Sequence, residues 1–196
     1  MIDPAHGGTE SGAVLNPTLL EKDVTLALAR RLRQDLTSRG IVSELVRDAD
    51  VNLSTDDRAG KVNSGHVVLY LCLHASSEVG GIRIFSAMLP QAENTNIPFL
   101  DWNTAQAESL PNARSVQQQL VAAIQKSGLP VRSLTAPLRP LNNVVAPAIA
   151  VEVGPTSANV TQLMLSDFQA AISTALTNGL AASVRELESS APGAPR

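Results

Sequence analysis

The chain has little of what would mark several functional classes. It holds one cysteine, Cys72, so an internal disulfide is excluded and the lone thiol is silent on compartment. Aromatic residues are 3% of a sequence that is 44% apolar, so the core must be built from Leu, Val, Ile and Ala. A basic excess is missing. The formal charge of -3 argues against a general nucleic-acid binder. No apolar run is long enough to span a bilayer. No basic, then apolar, then small-residue leader is present. Met1 stands almost directly on the first predicted strand, so a trimmed domain is expected and the missing leader says little about location. No internal repeat is found. The absence of a His-Glu-x-x-His pair excludes the common helix-borne zinc peptidase design.

What is there reads as alternating strands and helices. The 196 residues fit one domain with a full core. Ile2-Asp3 ends a strand, Pro4 stops it, and Gly7-Gly8 allows a sharp turn with positive φ. Residues 9–20 read as a polar loop. Val24, Leu28, Leu32 and Leu36 predict a helix, ended by Gly40. Ile41 to Val46 reads as a strand. Ser54-Thr55-Asp56-Asp57 resembles a capping box and predicts a short helix ending near Gly65. Val67 to Leu73 lacks polar alternation, which predicts a central strand buried on both faces. Gly81 to Phe85 reads as another strand.

Residues 87–113 read as a long surface excursion. Val116, Leu120 and Ile124 predict a helix ended by Gly128. Residues 129–147 read as a Pro-rich connection containing Arg139. Ala148 to Val153 reads as a buried strand. Ser166 with Gln169 resembles a capping box for a last helix along Phe168, Ile172 and Leu176, reaching Leu187 despite Gly179. Residues 189–196 read as a flexible tail or the start of a linker. The expected fold is α/β: a twisted, mainly parallel central sheet flanked by helices on both faces, in a single domain over 1–188.

In such sheets ligands bind outside the carboxyl ends of the strands. His6, His74 and Glu152 all fall at or near such ends. Two histidines and a carboxylate can make a catalytic zinc site, and a further carboxylate can serve as its base. Plainer readings stand beside this one. His6 can hydrogen-bond its own turn. Thr18-x-x-Glu21 is itself a capping pattern, so Glu21 can be a helix cap. His74 can be a satisfied core histidine. Glu152 resists a plain reading, because a carboxylate inside an apolar run is costly unless paired or metal-linked. Cys72 reads as a small buried thiol. His66 reads as a surface residue, Asp48 and Asp50 as loop-capping groups, and Trp102 as a stacking surface for a sugar or stem peptide.

Six motifs in order carry a resemblance. They are Asp3-Pro-Ala-His-Gly-Gly8, Gly12-Ala13, Glu21-Lys22-Asp23, Arg47-Asp48-Ala49-Asp50, Leu73-His74-Ala75-Ser76 and Val151-Glu152-Val153-Gly154. Together they resemble the zinc-dependent N-acetylmuramoyl-L-alanine amidases (Amidase_3 type), over nearly the whole chain. Three departures bear on substrate fit. Ala5 stands where the family has Gly, Ser76 where it has Asn, and Pro155-Thr156-Ser157-Ala158-Asn159 changes the segment after Gly154.

The resemblance implies that His6, Glu21 and His74 ligate Zn²⁺ and that Glu152 is the catalytic carboxylate. It also implies that Arg139 holds a substrate carboxylate or carbonyl. The bond expected is the amide between the lactyl group of N-acetylmuramic acid and L-alanine in peptidoglycan. Water activated at neutral pH would be the nucleophile, with Glu152 as general acid/base. The expected partner is peptidoglycan, with no nucleic acid and no membrane span. A monomer acting outside the cytoplasmic membrane, in periplasm or cell wall, is expected. Two alternatives stay open: a non-catalytic peptidoglycan-binding domain of the same fold, and a zinc amidase or peptidase for another small amide. The sequence is silent on any activator or flanking wall-binding module.

Overall fold

The sheet is built on the two apolar runs that read as buried strands. A computed structural model describes residues 1–89 and 105–190, and the elements in chain order are β1 (Ile2–Pro4), β2 (Val14–Asn16), β3 (Leu19–Leu20), α1 (Glu21–Thr37), α2 (Thr55–Asn63), β4 (Tyr70–Ala75), β5 (Ile82–Ala87), α3 (Leu110–Lys126), β6 (Val131–Ala136), β7 (Ala148–Val153) and α4 (Ser166–Ser190). Two 3₁₀ turns, Leu141–Asn143 and Val160–Met164, flank β7. The five-stranded sheet has the order β1-β4-β7-β5-β6. Its pairs β1–β4, β4–β7 and β5–β6 are parallel, and β5 runs antiparallel to β7. The expected α/β, mainly parallel sheet is the observed one.

Alternation along β4 and β7 divides the core. Leu71, Leu73, Ile149 and Val151 face α1, α3 and α4, joined by Leu28, Leu32, Leu120, Ile124, Ile172 and Leu176. Tyr70, Cys72, Ala148 and Ala150 face the opposite side, under Ala59 and Val62 of α2 and Leu141 of the 3₁₀ turn. Three long helices thus cover one face and a thin layer covers the other. The predicted apolar stripe Val24-Leu28-Leu32-Leu36 is buried throughout. Ser54 caps α2, accepting from the Asp57 N–H while the Asp57 side chain accepts from the Ser54 N–H, which is the predicted capping box.

Several expectations change. Residues 9–20 carry the hairpin β2–β3 rather than loop alone. Ile41 to Val46 is not a strand. Only Leu45 makes a bridge, to Ile2, flanked by the bonds from Ile2 N to Glu44 O and Val46 N to Ile2 O. The connection 129–147 contains β6, an edge strand with Arg132, Ser133, Leu134 and Thr135 exposed. Only Val131 at its start packs against the core, so no apolar pattern marked it. The Gln169 amide bonds Leu163 O rather than closing a box on Ser166. α4 passes Gly179 without interruption, where a Cβ would lie 2.9 Å from Leu120 Cδ2, so the glycine allows α3 and α4 to pack closely. Residues 90–104, with Trp102, and 191–196 lie outside the described residues. The expected surface excursion over 87–113 falls largely there, and α4 includes the first two residues of the predicted tail.

Candidate metal centre

Pro4 ends β1, and the chain reverses through three residues with positive φ: His6 at 60°, Gly7 at 139° and Gly8 at 60°. The left-handed conformation therefore falls on His6 itself, and Ala5 fits without it. A dense cationic scaffold holds this turn. Arg58 donates to His6 O at 2.7 Å and Pro4 O at 3.1 Å and pairs with the buried Asp3. Arg47 donates to Pro4 O and Ala5 O, and Thr25 Oγ1 donates to Ala5 O. Asp50 accepts the Gly8 N–H at 2.6 Å and pairs with Lys22, whose ammonium also donates to Gly8 O. Asp48 pairs with Arg30 and Arg33 of α1. Asp50 is thus the expected loop-capping group, whereas the Asp48 carboxylate, expected to be one too, pairs with two arginines of α1 instead of a backbone N–H.

Glu21 is not a cap. The N-cap position of α1 is Leu20, with no side-chain cap bond, and Thr18 Oγ1 donates instead to Asn16 Oδ1. Glu21, a residue 5% exposed, turns its carboxylate toward the end of β4. It accepts the Ala13 N–H at 2.9 Å and the Ala75 N–H at 3.2 Å. His6 Nε2 lies 3.2 Å from its Oε2, and His74 Nδ1 lies 2.8 Å from its Oε1. His6 and His74 meet edge to face, their ring centroids 5.4 Å apart. A Cβ on Gly12 would stand 2.5 Å from His6 Cδ2 and 2.6 Å from Glu21 Oε2, so only glycine lets the chain close over this pair.

One ligand atom from each of His6, Glu21 and His74 lies within 4.8 Å of the others, so these three residues could hold a metal ion. Two imidazoles and one carboxylate are a donor set suited to zinc. Burial favours a neutral Glu21, but the bonds from His6, His74 and Ala13 outweigh it and hold the carboxyl far below the usual carboxylate range. The bond to Glu21 raises His6 above an ordinary imidazole, against burial. Burial opposes charge on His74 too, yet Cys72 and Glu21 together raise it well above its ordinary value. The outer nitrogen of His6, Nδ1, pairs with Glu10 at 3.0 Å, and His74 Nε2 lies 3.5 Å from Cys72 Sγ. Such outer contacts orient metal-binding imidazoles. Cys72 is buried beneath His74, and His66 is exposed, as expected.

Glu152 stands beside this centre through sheet register. It is opposite His74 on β4 and opposite Arg83 on β5, so the three share one row and one face. Its side chain is 27% exposed and forms an ion pair with Arg83, which also pairs with Glu78. Arg83 escaped the sequence reading. The signal was present, as a lone charge between Ile82 and Ile84, but its meaning depends on which strand lies alongside. The chain enters β5 through residues 76–81, which cross the end of β7 at Gly154. A Cβ there would stand 2.3 Å from Glu78 O. Arg139 lies outside the three-residue cluster, on the loop after β6, where its guanidinium pairs with Asp56 at the first turn of α2.

The family model described as N-acetylmuramoyl-L-alanine amidase matches residues 1–182. The chain is similar to the endolysin of Bacillus phage SPP1, 38% identical over 81 residues, which are 41% of this chain and 30% of that protein. It is also similar to the N-acetylmuramoyl-L-alanine amidase LytC of Bacillus subtilis, 37% identical over 98 residues, 48% of this chain and 20% of that protein. The alignments thus span less than a third of these relatives' length. Among solved structures, the catalytic domain of CwlV, an N-acetylmuramoyl-L-alanine amidase from Bacillus (Paenibacillus) polymyxa, superposes with a TM-score of 0.72 at 21% identity, over 94% of this chain and 96% of that one. At that identity the likeness speaks for the fold.

Proposed function

The chain belongs to the N-acetylmuramoyl-L-alanine amidase family, and from that premise we propose that it hydrolyses the amide between N-acetylmuramic acid and L-alanine in peptidoglycan. The observation that carries the proposal is the convergence of His6, Glu21 and His74, with Glu152 in register beside His74. In this reading those three residues hold Zn²⁺ and Glu152 is the general acid/base. Zinc, when bound, supplies Lewis acidity that activates water at neutral pH and polarises a carbonyl.

Glu21 anchors the centre. It supplies negative charge and orients both imidazoles at once. Glu152 takes a proton from the attacking water and returns it to the leaving nitrogen of L-alanine, so the carboxylate is regenerated in each cycle. Its partial exposure leaves it open to substrate. Arg139 holds a carboxylate or carbonyl of the stem peptide after exchanging its contact with Asp56. The site of action is outside the cytoplasmic membrane, where peptidoglycan lies. Among the described residues no helix is long and apolar enough to cross a membrane.

The test pairs metal analysis with product analysis. Purified protein should carry about one zinc per chain and release peptide bearing N-terminal L-alanine from a muramoyl-peptide. Glu152→Gln should keep the zinc and lose turnover by roughly 10²- to 10⁴-fold. Turnover that survives this change would remove Glu152 from its role. Zinc without peptide release in the unaltered protein would point to a binding domain or another amide substrate.

A further inference from the structure

A carboxylate that moves protons must be aimed, and Glu152 sits on a strand whose backbone fixes only its Cα. Its carboxylate forms an ion pair with Arg83. The two residues are direct partners across the antiparallel β5–β7 pair, which brings their side chains together on the α2 face. The guanidinium lies against Glu152 as an ion pair, Nη2 facing an Oε1 that makes no hydrogen bond among the described residues, and Nη1 donates to Glu78 Oε2. Arg83 is 22% exposed and Glu152 27%, so the pair is partly shielded from water, whereas Glu78 is 72% exposed. Glu78 lies on the short crossing between β4 and β5, where its N–H donates to Ser76 Oγ at 3.1 Å. The guanidinium is therefore held at both ends: one carboxylate on a surface loop, the other beside the proposed metal ligands.

The fold alone does not call for this arginine. Ile82 and Ile84 make the core contacts of β5 on the other face, and Phe85 and Ala87 supply them on the face of Arg83. An apolar residue at 83 would serve the sheet and would leave Glu152 without its ion pair.

We propose that Arg83 is a positioning residue for Glu152, fixing the aim of its carboxylate, with Glu78 as the outer anchor that orients the guanidinium. This rests on the amidase reading given above. A planar fork resists rotation in a way an ammonium does not, so the role is specific to arginine in degree.

The test uses the zinc-loaded full chain and the variants Arg83→Gln, Arg83→Lys and Glu78→Gln. For Arg83→Gln, kcat on a muramoyl-peptide should fall on the order of 10- to 100-fold, as expected for a misaimed catalytic group. KM and zinc content should stay as in the parent. Arg83→Lys should recover part of the loss, and Glu78→Gln should cost only a few-fold. A raised KM with unchanged kcat would overturn the proposal and assign Arg83 to substrate binding. Parental kcat in Arg83→Gln would overturn it too. If Arg83→Gln fails to fold, Arg83→Lys and Glu78→Gln carry the same kcat-against-KM test. A parent that binds zinc but releases no peptide would refute the amidase reading instead. A crystal structure of Arg83→Gln, or of Arg83→Lys if the former fails to fold, then decides the positioning role: a displaced Glu152 carboxylate supports it, and an unmoved one overturns it.

Discussion

The two faces of the sheet are built for different ends. On one, Leu, Ile and Val side chains interlock with three long helices. On the other, β4 and β7 present Tyr70, Cys72, Ala148 and Ala150 to a thin cover of α2 and a 3₁₀ turn. The small side chains of Cys72, Ala148 and Ala150 leave room for charge to come close to the backbone. Asp3, Arg58 and Tyr70 form a buried polar network, and Arg47 and Arg58 grip the carbonyls of the turn that bears His6. Bulk hydrophobic burial is non-directional and stabilises without aiming anything. Buried hydrogen-bonded charges are directional and suit a site that must hold its geometry. The comparison implies that stability and site geometry can be damaged separately.

The largest effect is expected where the faces meet, at Glu21, which starts a helix of the thick layer and reaches across to both histidines. Glu21→Ala should reduce bound zinc from about one per chain to background, read by elemental analysis. Retained zinc would break the proposed ligand set. Next comes Arg58→Ala, which leaves the buried Asp3 carboxylate without its cation, bonded only by the Tyr70 hydroxyl, and releases His6 O. It should cost about 3–5 kcal/mol in urea unfolding and weaken zinc binding as well. Leu32→Ala, in the thick layer, should cost about 2–5 kcal/mol with zinc affinity unchanged. Equal losses of zinc affinity in these two variants would erase the distinction.

The smallest effect is the pH response of the metal-free protein. The raised His6 and His74 contribute stability that is complete below their ordinary value of 6.5 and is lost as pH rises through their higher folded values. Glu21, held below its ordinary 4.5, contributes stability above that value and loses it as pH falls through its lower folded value. Metal-free protein should therefore melt lower at pH 8.5 than at pH 5.5, by about 2–4 °C for each kcal/mol lost. Added zinc should raise Tm more at the higher pH, because it needs neutral imidazoles. A Tm independent of pH in this range would contradict the cluster's electrostatics.

Much of this was legible in the residues, and the reasons differ by element. α1 and the capped start of α2 carry local signals, apolar spacing and a Ser-to-Asp box, that need no tertiary partner. β4 and β7 announced themselves by continuous apolarity because both faces are covered. β6 did not, since an exposed edge strand with Arg132 and Thr135 has no pattern to show. Ile41 to Val46 has strand-like composition but only one bridge, because β1 beside it is three residues long. His6, Glu21 and His74 were identifiable as types. That Glu21 binds both histidines instead of capping its helix depends on where the β2–β3 hairpin places Ala13, which is a tertiary fact. Arg83 became meaningful only once β7 was seen to lie between β4 and β5.

That insertion has a consequence for how the protein comes into being. β4 and β5 are joined by six residues, yet they are not neighbours, and β7 occupies the slot between them after some sixty further residues have been made. Pairings of such long sequence separation form late and slowly. A growing chain carries both histidines and Glu21 long before Glu152 has been made. It receives Glu152 only when the seventh strand slides home and Gly154 passes under the crossing. The proposed hydrolase would thus be inert throughout its own synthesis, its chemistry switched on by the last strand to arrive.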